Sequence, residues 1–337
     1  LKDIIIKNGI NIPAGEVDAQ LSAHPSVQAC KTVGVPDPLV GERIVSACVV
    51  EPAATLSPHD LKSWAQGRLS KHMWPDAVEI LGALPCGATG KVAVRQLRKL
   101  ISGELGEEVY ASLNSWKYKR AQPSDPERIR DLVEAALRHG RPLELLAYWG
   151  CGERSEVGPY DTLALQRLRD YMHDARYVEQ AAPRLTLIFT DVHARNNRIP
   201  TARMESYRAG VLEHAEALGM PMLRLSDLWA EAGLSEEQVR AELETTECEA
   251  AWSACAFKDQ LIAQAGKHLE GSSDAEGAAR FYFHACARES KVLAARFSDS
   301  IFISYNHPDF DFLLPPLPKV YLHSYKEGTS VKPWFKS

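Results

Sequence analysis

Apolar residues recur along this chain in two rhythms, and the rhythms alternate. The run Ile4–Ile6 reads as a short strand, closed by the turn pair Asn8-Gly9. From Pro13 to Ser26 the spacing of Val17, Leu21 and then Val27 predicts a helix facing a core, with Pro25 ending it. The stretches CKTVGV and RIVSACVVE follow as two strands around the turn at Pro36–Pro38. Ser57-Pro58 supplies an N-cap and a first-turn proline for a helix that places Leu61, Trp64 and Leu69 near one face. Ala77–Leu81 reads as a third strand, and Leu97, Leu100 and Ile101 form a helical stripe after the glycine-containing loop Leu84–Val92. Together these elements predict an α+β module over 1–102.

Beyond it, 103–125 loses clear periodicity in its second half, ends among prolines and reads as a linker. A second series over 126–337 begins with Ile129, Leu132, Val133, Ala136 and Leu137 on one helical face, stopped by Gly140. Three buried-strand candidates follow: Leu143–Gly150, Leu185–Asp191 and the IFISY stretch from Ile301. Helices are expected over 162–177, 203–217, 235–247 and about 250–297, with a strand in PMLRLSDLW and the terminal segment KVYLHSY closing the series. Apolar strands alternating with helices predict an α/β domain with a mostly parallel or mixed sheet flanked by helices.

Composition narrows the function classes. The net charge of −5 gives no footprint for nucleic acid or an anionic membrane. Residues 1–120 hold 14 basic and 12 acidic side chains, and the remainder 25 and 32, so the balance changes sign between the modules. The seven cysteines show no CxxC pair or zinc-ligand spacing, which fits a reducing cytoplasm. No apolar run is long enough for a membrane span. The start at LKDIII, mid-pattern and without Met, suggests a piece of a longer protein.

Candidate chemistry in the first module centres on Lys91. Gly87 and Gly90 let the loop approach another surface, and the lysine is a point charge able to reach a phosphate or carboxylate; a solvated turn is the plain alternative. LKDIIIKNGINIPAGEVDAQLSAHPSVQ, VGVPDPLVGERIVSACVV and LPCGATGKVAVRQLRKL, in that order, resemble the small C-terminal subdomain of the adenylate-forming enzymes, acyl-CoA synthetases and adenylation domains. The resemblance implies that Lys2 lies at the hinge to a large subdomain and that Gly9 lines the pantetheine passage. It implies that Lys91 stabilises charge as the acyl-adenylate forms, with ATP and Mg supplied through an N-terminal adenylation subdomain that this stretch lacks. The substrate would be a small carboxylic or amino acid. The wording around Gly9 is closer to acyl-CoA ligases than to peptide-synthetase domains.

In the second module the polar residues follow strand ends. Arg154 lies in a glycine-bounded loop, Asp191, His193, Arg195 and Arg198 follow the second strand, Asn306 and His307 follow IFISY, and Lys319 precedes the last strand. Guanidiniums there could bind an anion while an imidazole and a carboxylate move protons; solvated or capping loops are the alternative. Asp191, His193 and His307 could be combined into a metal site, but no His pair at helical spacing supports one and none is expected. Cys151 between Gly150 and Gly152 reads as an inert thiol, and Tyr282 with its aromatic neighbours as core. The early strand followed by TLALQRL, LIFTDVHARN, ARESKVLAARF before IFISYNHPD, and the closing KVYLHSY…KPWF resemble the isocyanide synthase and dityrosine-biosynthesis family. YWGCGERS stands where that family carries a Phe-Pro-x-Lys-Ser-like segment, and Pro-Trp-Phe where it carries Pro-Trp-His. The resemblance implies a fusion enzyme whose second domain modifies an amino acid, with a sugar phosphate as carbon donor. Acylation or condensation of the activated acid, or a docking role without catalysis, are the other readings.

Overall fold

The computed structural model describes residues 3–87, 89–152, 155–174, 182–269 and 274–323. They divide into two compact units, the first being Leu1–Ser112 with Arg130–Leu143 and Asp174–Pro183, the second Leu113–Ile129 with Glu144–His173 and Arg184–Ser337.

The first unit is built on β1 (Ile4–Lys7), β2 (Ile10–Pro13), β3 (Val27–Asp37), β4 (Gly41–Val50) and β5 (Ala77–Ile80), ordered β2-β1-β4-β3 with β5 beside β4. β3 and β4 form a long antiparallel hairpin, while β5 joins β4 in parallel. Asn8 and Gly9, both at positive φ (51° and 76°), turn β1 into β2. Helices α1 (Ala14–Ser22) and α2 (Pro58–Gln66) seat Val17, Leu21, Leu61 and Ala65 against Ile5, Ile12, Ile44 and Val78. Each of the larger of these side chains contributes about 1.5–3 kcal/mol by leaving water. The α2 start works as its sequence predicts: the Ser57 hydroxyl accepts from the Asp60 N–H, and the Asp60 carboxylate accepts from the Ser57 N–H. The one buried polar pair of the hairpin, Thr32 and Ser46, is satisfied by a hydroxyl–hydroxyl bond of 2.8 Å across the strands. α3 (Val94–Ser102) completes the module with Leu97 and Leu100 buried.

Residues 103–125 carry α4 (Glu104–Leu113) and β6 (Lys119–Ala121), and α5 (Pro126–His139) ends at Gly140, whose φ is 61°. Its final turn meets the segment after β5: the Gly82 N–H donates to the Arg138 carbonyl at 2.8 Å, and the Arg138 side chain pairs with Glu79.

The second unit is a six-stranded sheet with the order β6-β11-β10-β7-β8-β9. Its strands are β7 (Glu144–Trp149), β8 (Arg184–Phe189), β9 (Met222–Arg224), β10 (Ile301–Ser304) and β11 (Lys319–Leu322), all parallel, with β6 antiparallel at the β11 edge. The expected α/β domain with a mixed, mostly parallel sheet is therefore present. Strand order runs outward through β7, β8 and β9, then returns to the other side of β7 with β10. The reversal between β7 and β10 is where such sheets receive ligands, outside the strand carboxyl ends.

The helices are α6 (Pro159–Asp174), α7 (Asp191–Asn196), α8 (Thr201–Ala217), α9 (Leu225–Glu231), α10 (Glu236–Glu242), α11 (Thr246–Ser253), α12 (Lys258–His268) and α13 (Ala275–Arg296). One core gathers Ile188, Val192, Leu228, Trp229, Phe281 and Phe302, and a second gathers Trp252, Leu261, Ala279 and Cys286. Three expectations are corrected. Asp191, His193 and Arg195 stand on a short helix, not in a loop, because the backbone closes helical bonds there, the Ala194 N–H donating to the Thr190 carbonyl and the Asn197 N–H to the His193 carbonyl. The PMLRLSDLW strand stops at Arg224, since Leu225, Leu228 and Trp229 bury one helical face instead. The long helix over about 250–297 is three helices, α11, α12 and α13.

Candidate functional site

In the first unit the segment after Gly82 closes on itself as a small hairpin. Cys86 and Val92 form an antiparallel bridge. The Gly87 N–H donates to the Lys91 carbonyl at 2.8 Å, the Gly90 N–H to the Gly87 carbonyl at 2.9 Å, and the Ala93 N–H to the Pro85 carbonyl at 2.7 Å. Gly90 takes a φ of 73°, a left-handed turn that a Cβ would strain. The backbone is thus tied on both sides of Lys91 while its side chain is exposed, and no hydrogen bond or ion pair holds its ammonium among the described residues. A charge held out on a braced loop is suited to act on something brought to it. Gly9 lies in its turn with open space where a Cβ would be. Lys2 lies outside the described residues.

In the second unit His193 is the predicted residue with the most chemically suggestive surroundings. Its Nε2 lies 2.9 Å from Glu289 Oε2, and the Tyr148 hydroxyl donates to Glu289 Oε1 at 2.8 Å. The Tyr282 ring stands edge-on to His193 with centroids 4.9 Å apart, and Tyr148 packs edge-on against Phe302 at 5.0 Å. Three separate pieces of chain meet here: β7 through Tyr148, α7 through His193, and α13 through Tyr282, Cys286 and Glu289. The Glu289 side chain is 0% exposed and that of His193 12%. Burial first, and then the Glu289 carboxyl, hold the Tyr148 hydroxyl well above the usual tyrosine range. Burial likewise pushes the Cys286 thiol up, with Glu289 adding to it, and burial raises Tyr282. All three stay protonated near neutral pH, so the cluster is rich in donors around one carboxyl group.

The other predicted residues are engaged elsewhere. Asp191 is 0% exposed; it accepts from Arg195 at 2.9 Å and from the Ser226 N–H and hydroxyl at 3.0 and 2.5 Å. Arg195 also donates to Glu236. This network ties α7 to α9 and α10. Asp191→Ala would strand the Ser226 donors, and urea denaturation is expected to show a loss of about 2 kcal/mol. Arg198, at a φ of 57°, pairs with Asp274 near the surface. His307 is exposed, caps the 3-10 turn Pro308–Leu313 and lies 3.0 Å from Asp309, while the Asn306 N–H donates to Ser304. Lys319 is buried in β11, its ammonium donating to the Leu317 carbonyl at 3.2 Å with Asp311 at 3.8 Å. Burial draws that ammonium below the usual lysine value, and Asp311 opposes the shift. No hydrogen bond or ion pair among the described residues joins His193 to Asp191, His307 or Lys319. Arg154 lies outside the described residues.

Tyr148, Cys286 and Glu289 were not singled out from the sequence. One signal was available: Glu289 stands on the same long helix as buried Phe281, Ala285 and Leu293, at a position where the periodicity asks for an apolar side chain.

Residues 16–91 match the family model of the AMP-binding enzyme C-terminal domain. The chain is 39% identical over 101 residues to a feruloyl-CoA synthase of Amycolatopsis sp, covering 29% of this chain and 20% of that protein. It is 34% identical over 97 residues to the mitochondrial malonate–CoA ligase ACSF3 of Mus musculus, covering 29% and 17%. A solved structure of ATP-bound MatB from Rhodopseudomonas palustris aligns at 28% identity, over 29% of this chain and 20% of that one, with a TM-score of 0.28. The chain thus spans about a fifth of the length of the curated relatives it matches. Residues 16–91 of the first unit are thus similar to the AMP-binding enzyme C-terminal domain, and the similar proteins include CoA synthases and ligases.

Proposed function

We propose that the first unit is the lid of an acid–CoA ligase, and that Lys91 is the cation it delivers to the reacting carboxylate and the α-phosphate of ATP. The observation that carries this reading is the braced hairpin, which fixes the backbone around Lys91 while no partner among the described residues holds its ammonium. In acyl-adenylate formation negative charge gathers between the attacking carboxylate and the phosphoryl group. A preorganised cation there lowers the barrier without paying for reorganisation at the moment of reaction. Mounting it on a small domain lets the domain rotate away, so that one active site serves adenylation and then thioester formation. In this reading Lys2 is the hinge, the turn at Gly9 borders the pantetheine passage, and Mg accompanies ATP. The large partner subdomain binds the nucleotide and the acid. The test is ATP–pyrophosphate exchange by the full-length protein across a panel of small aromatic, dicarboxylic and amino acids. Exchange stimulated by none of them would remove the ligase reading.

For the second unit we favour an enzyme domain working in the same cytoplasmic biosynthetic route, on an amino acid or its activated derivative. Its support is the buried Tyr148–Glu289–His193 cluster, on a strand bordering the β7/β10 reversal and on the helices that follow. The finer reading is an isocyanide-synthase-like conversion of an amine with a sugar phosphate as carbon donor. Mass spectrometry of products from the full-length protein, given ATP, amino acids and a pentulose phosphate, tests it. The expected result is a product whose formation stops in His193→Asn; a product formed at the same rate by that variant would remove His193 from the chemistry.

A further inference from the structure

We infer that His193, Cys286 and Glu289 form a binding site for a zinc ion, with the fourth position open to a water or a substrate atom. One donor atom of each of these three side chains lies within 4.8 Å of the other two. Imidazole, thiolate and carboxylate are the three protein donors that zinc accepts, and three of them with one free position is the arrangement of catalytic sites. Bond lengths of about 2.0–2.3 Å put tetrahedral donors about 3.4–3.6 Å apart, so side-chain shifts of about 1 Å close this triangle on an ion.

The scaffold is suited to hold it. Cys286 and Glu289 are three residues apart on α13, hence on one helical face, and His193 comes from α7, directly after β8. The outer groups are in place as well. The Tyr148 hydroxyl binds Glu289 Oε1 and leaves Oε2 turned toward His193, while the Tyr282 ring packs edge-on against His193.

Glu289 is fully buried, and its partners are a phenol and an imidazole, with no lysine or arginine bonded to it among the described residues. A zinc ion bound there would meet no competing side-chain cation among the described residues. On binding, the Cys286 sulfur coordinates as thiolate and its proton leaves to solvent, and no bond changes oxidation state.

The proposal builds on the reading of this cluster as the reactive centre of the second unit, but its test is independent of turnover. The full-length protein, expressed in zinc-supplemented medium, is assayed for metal content. It is then stripped and titrated with cobalt(II), whose thiolate charge-transfer band reports the sulfur ligand. The expected result is one zinc per chain and a cobalt band that Cys286→Ser abolishes. Tyr148→Phe, which keeps all three donors, is expected to weaken binding about tenfold through the outer group alone. Metal-free protein from zinc-rich medium, or a cobalt band unchanged in Cys286→Ser, overturns the site. A protein that binds no metal yet loses its product in His193→Asn also overturns it, and leaves the enzymatic reading of the second unit standing.

Discussion

Lys91→Ala in the full-length protein is expected to lower acid-dependent ATP–pyrophosphate exchange by about a hundredfold or more, with the fold unchanged. The size follows from the role proposed for the ammonium: removing one preorganised donor at a developing negative charge costs about 10²–10³ in rate. The fold should be indifferent because the loop is held by backbone bonds, Gly87 to Lys91 carbonyl and Ala93 to Pro85 carbonyl, which alanine retains. Circular dichroism and the unfolding midpoint should therefore match wild type. Because thioester formation follows with the lid rotated, CoA transfer from an acyl-adenylate supplied ready-made should be far less affected. Exchange at the wild-type rate in Lys91→Ala would take the lysine out of the mechanism, and equal damage to both steps would remove the rotating-lid account.

A second large effect is expected from a residue with no chemistry. Gly82→Ala should destabilise the first unit by about 3 kcal/mol, read as a drop in the urea midpoint of a signal from its own tryptophans, Trp64 and Trp74. A Cβ built on Gly82 lies 2.1 Å from the His139 carbonyl oxygen, 2.5 Å from its carbon and 2.9 Å from its Cα. All three are backbone atoms, so no rotamer can yield; the end of α5 must move off the segment after β5. That movement also pulls on the Gly82–Arg138 hydrogen bond and the Arg138–Glu79 ion pair. An unchanged midpoint would mean that this junction is soft, and that α5 adds little to the first unit.

The sequence makes some of this visible and hides the rest for physical reasons. The first unit is readable because each of its elements answers to local chemistry: Ser57 and Pro58 start α2, Asn8-Gly9 turns β1 into β2, and Leu97 and Leu100 mark the inward face of α3. In the second unit the long strands stand out as apolar runs, but α7 has six residues, too few to show a period, and its strand-end polar residues look like a loop. The segment at 221–229 opens on the short apolar run Pro221–Leu223 and then buries Leu225, Leu228 and Trp229 at helical spacing, so the strand signal conceals a helix start. Glu289 and Tyr148 meet across 141 residues of chain, a distance over which no pattern carries information. Their partnership with His193 is a property of the sheet order, and only the folded chain displays it.

That same sheet order sets a timetable for synthesis. The central pairing of β7 with β10 joins Leu145 to Ile301, and the edge pairing of β6 with β11 joins Ala121 to Tyr321, two hundred residues further on. On the ribosome β6, β7, β8 and β9 emerge long before the strands that lie between β6 and β7 exist. The nascent second unit must therefore carry one open edge of β7 and an unpartnered β6 until nearly its last strand has been made, with backbone donors and acceptors free to pair wrongly. The hairpin-rich first unit has no such wait. Chains truncated before β10 should accordingly retain a folded first unit and aggregate through the second.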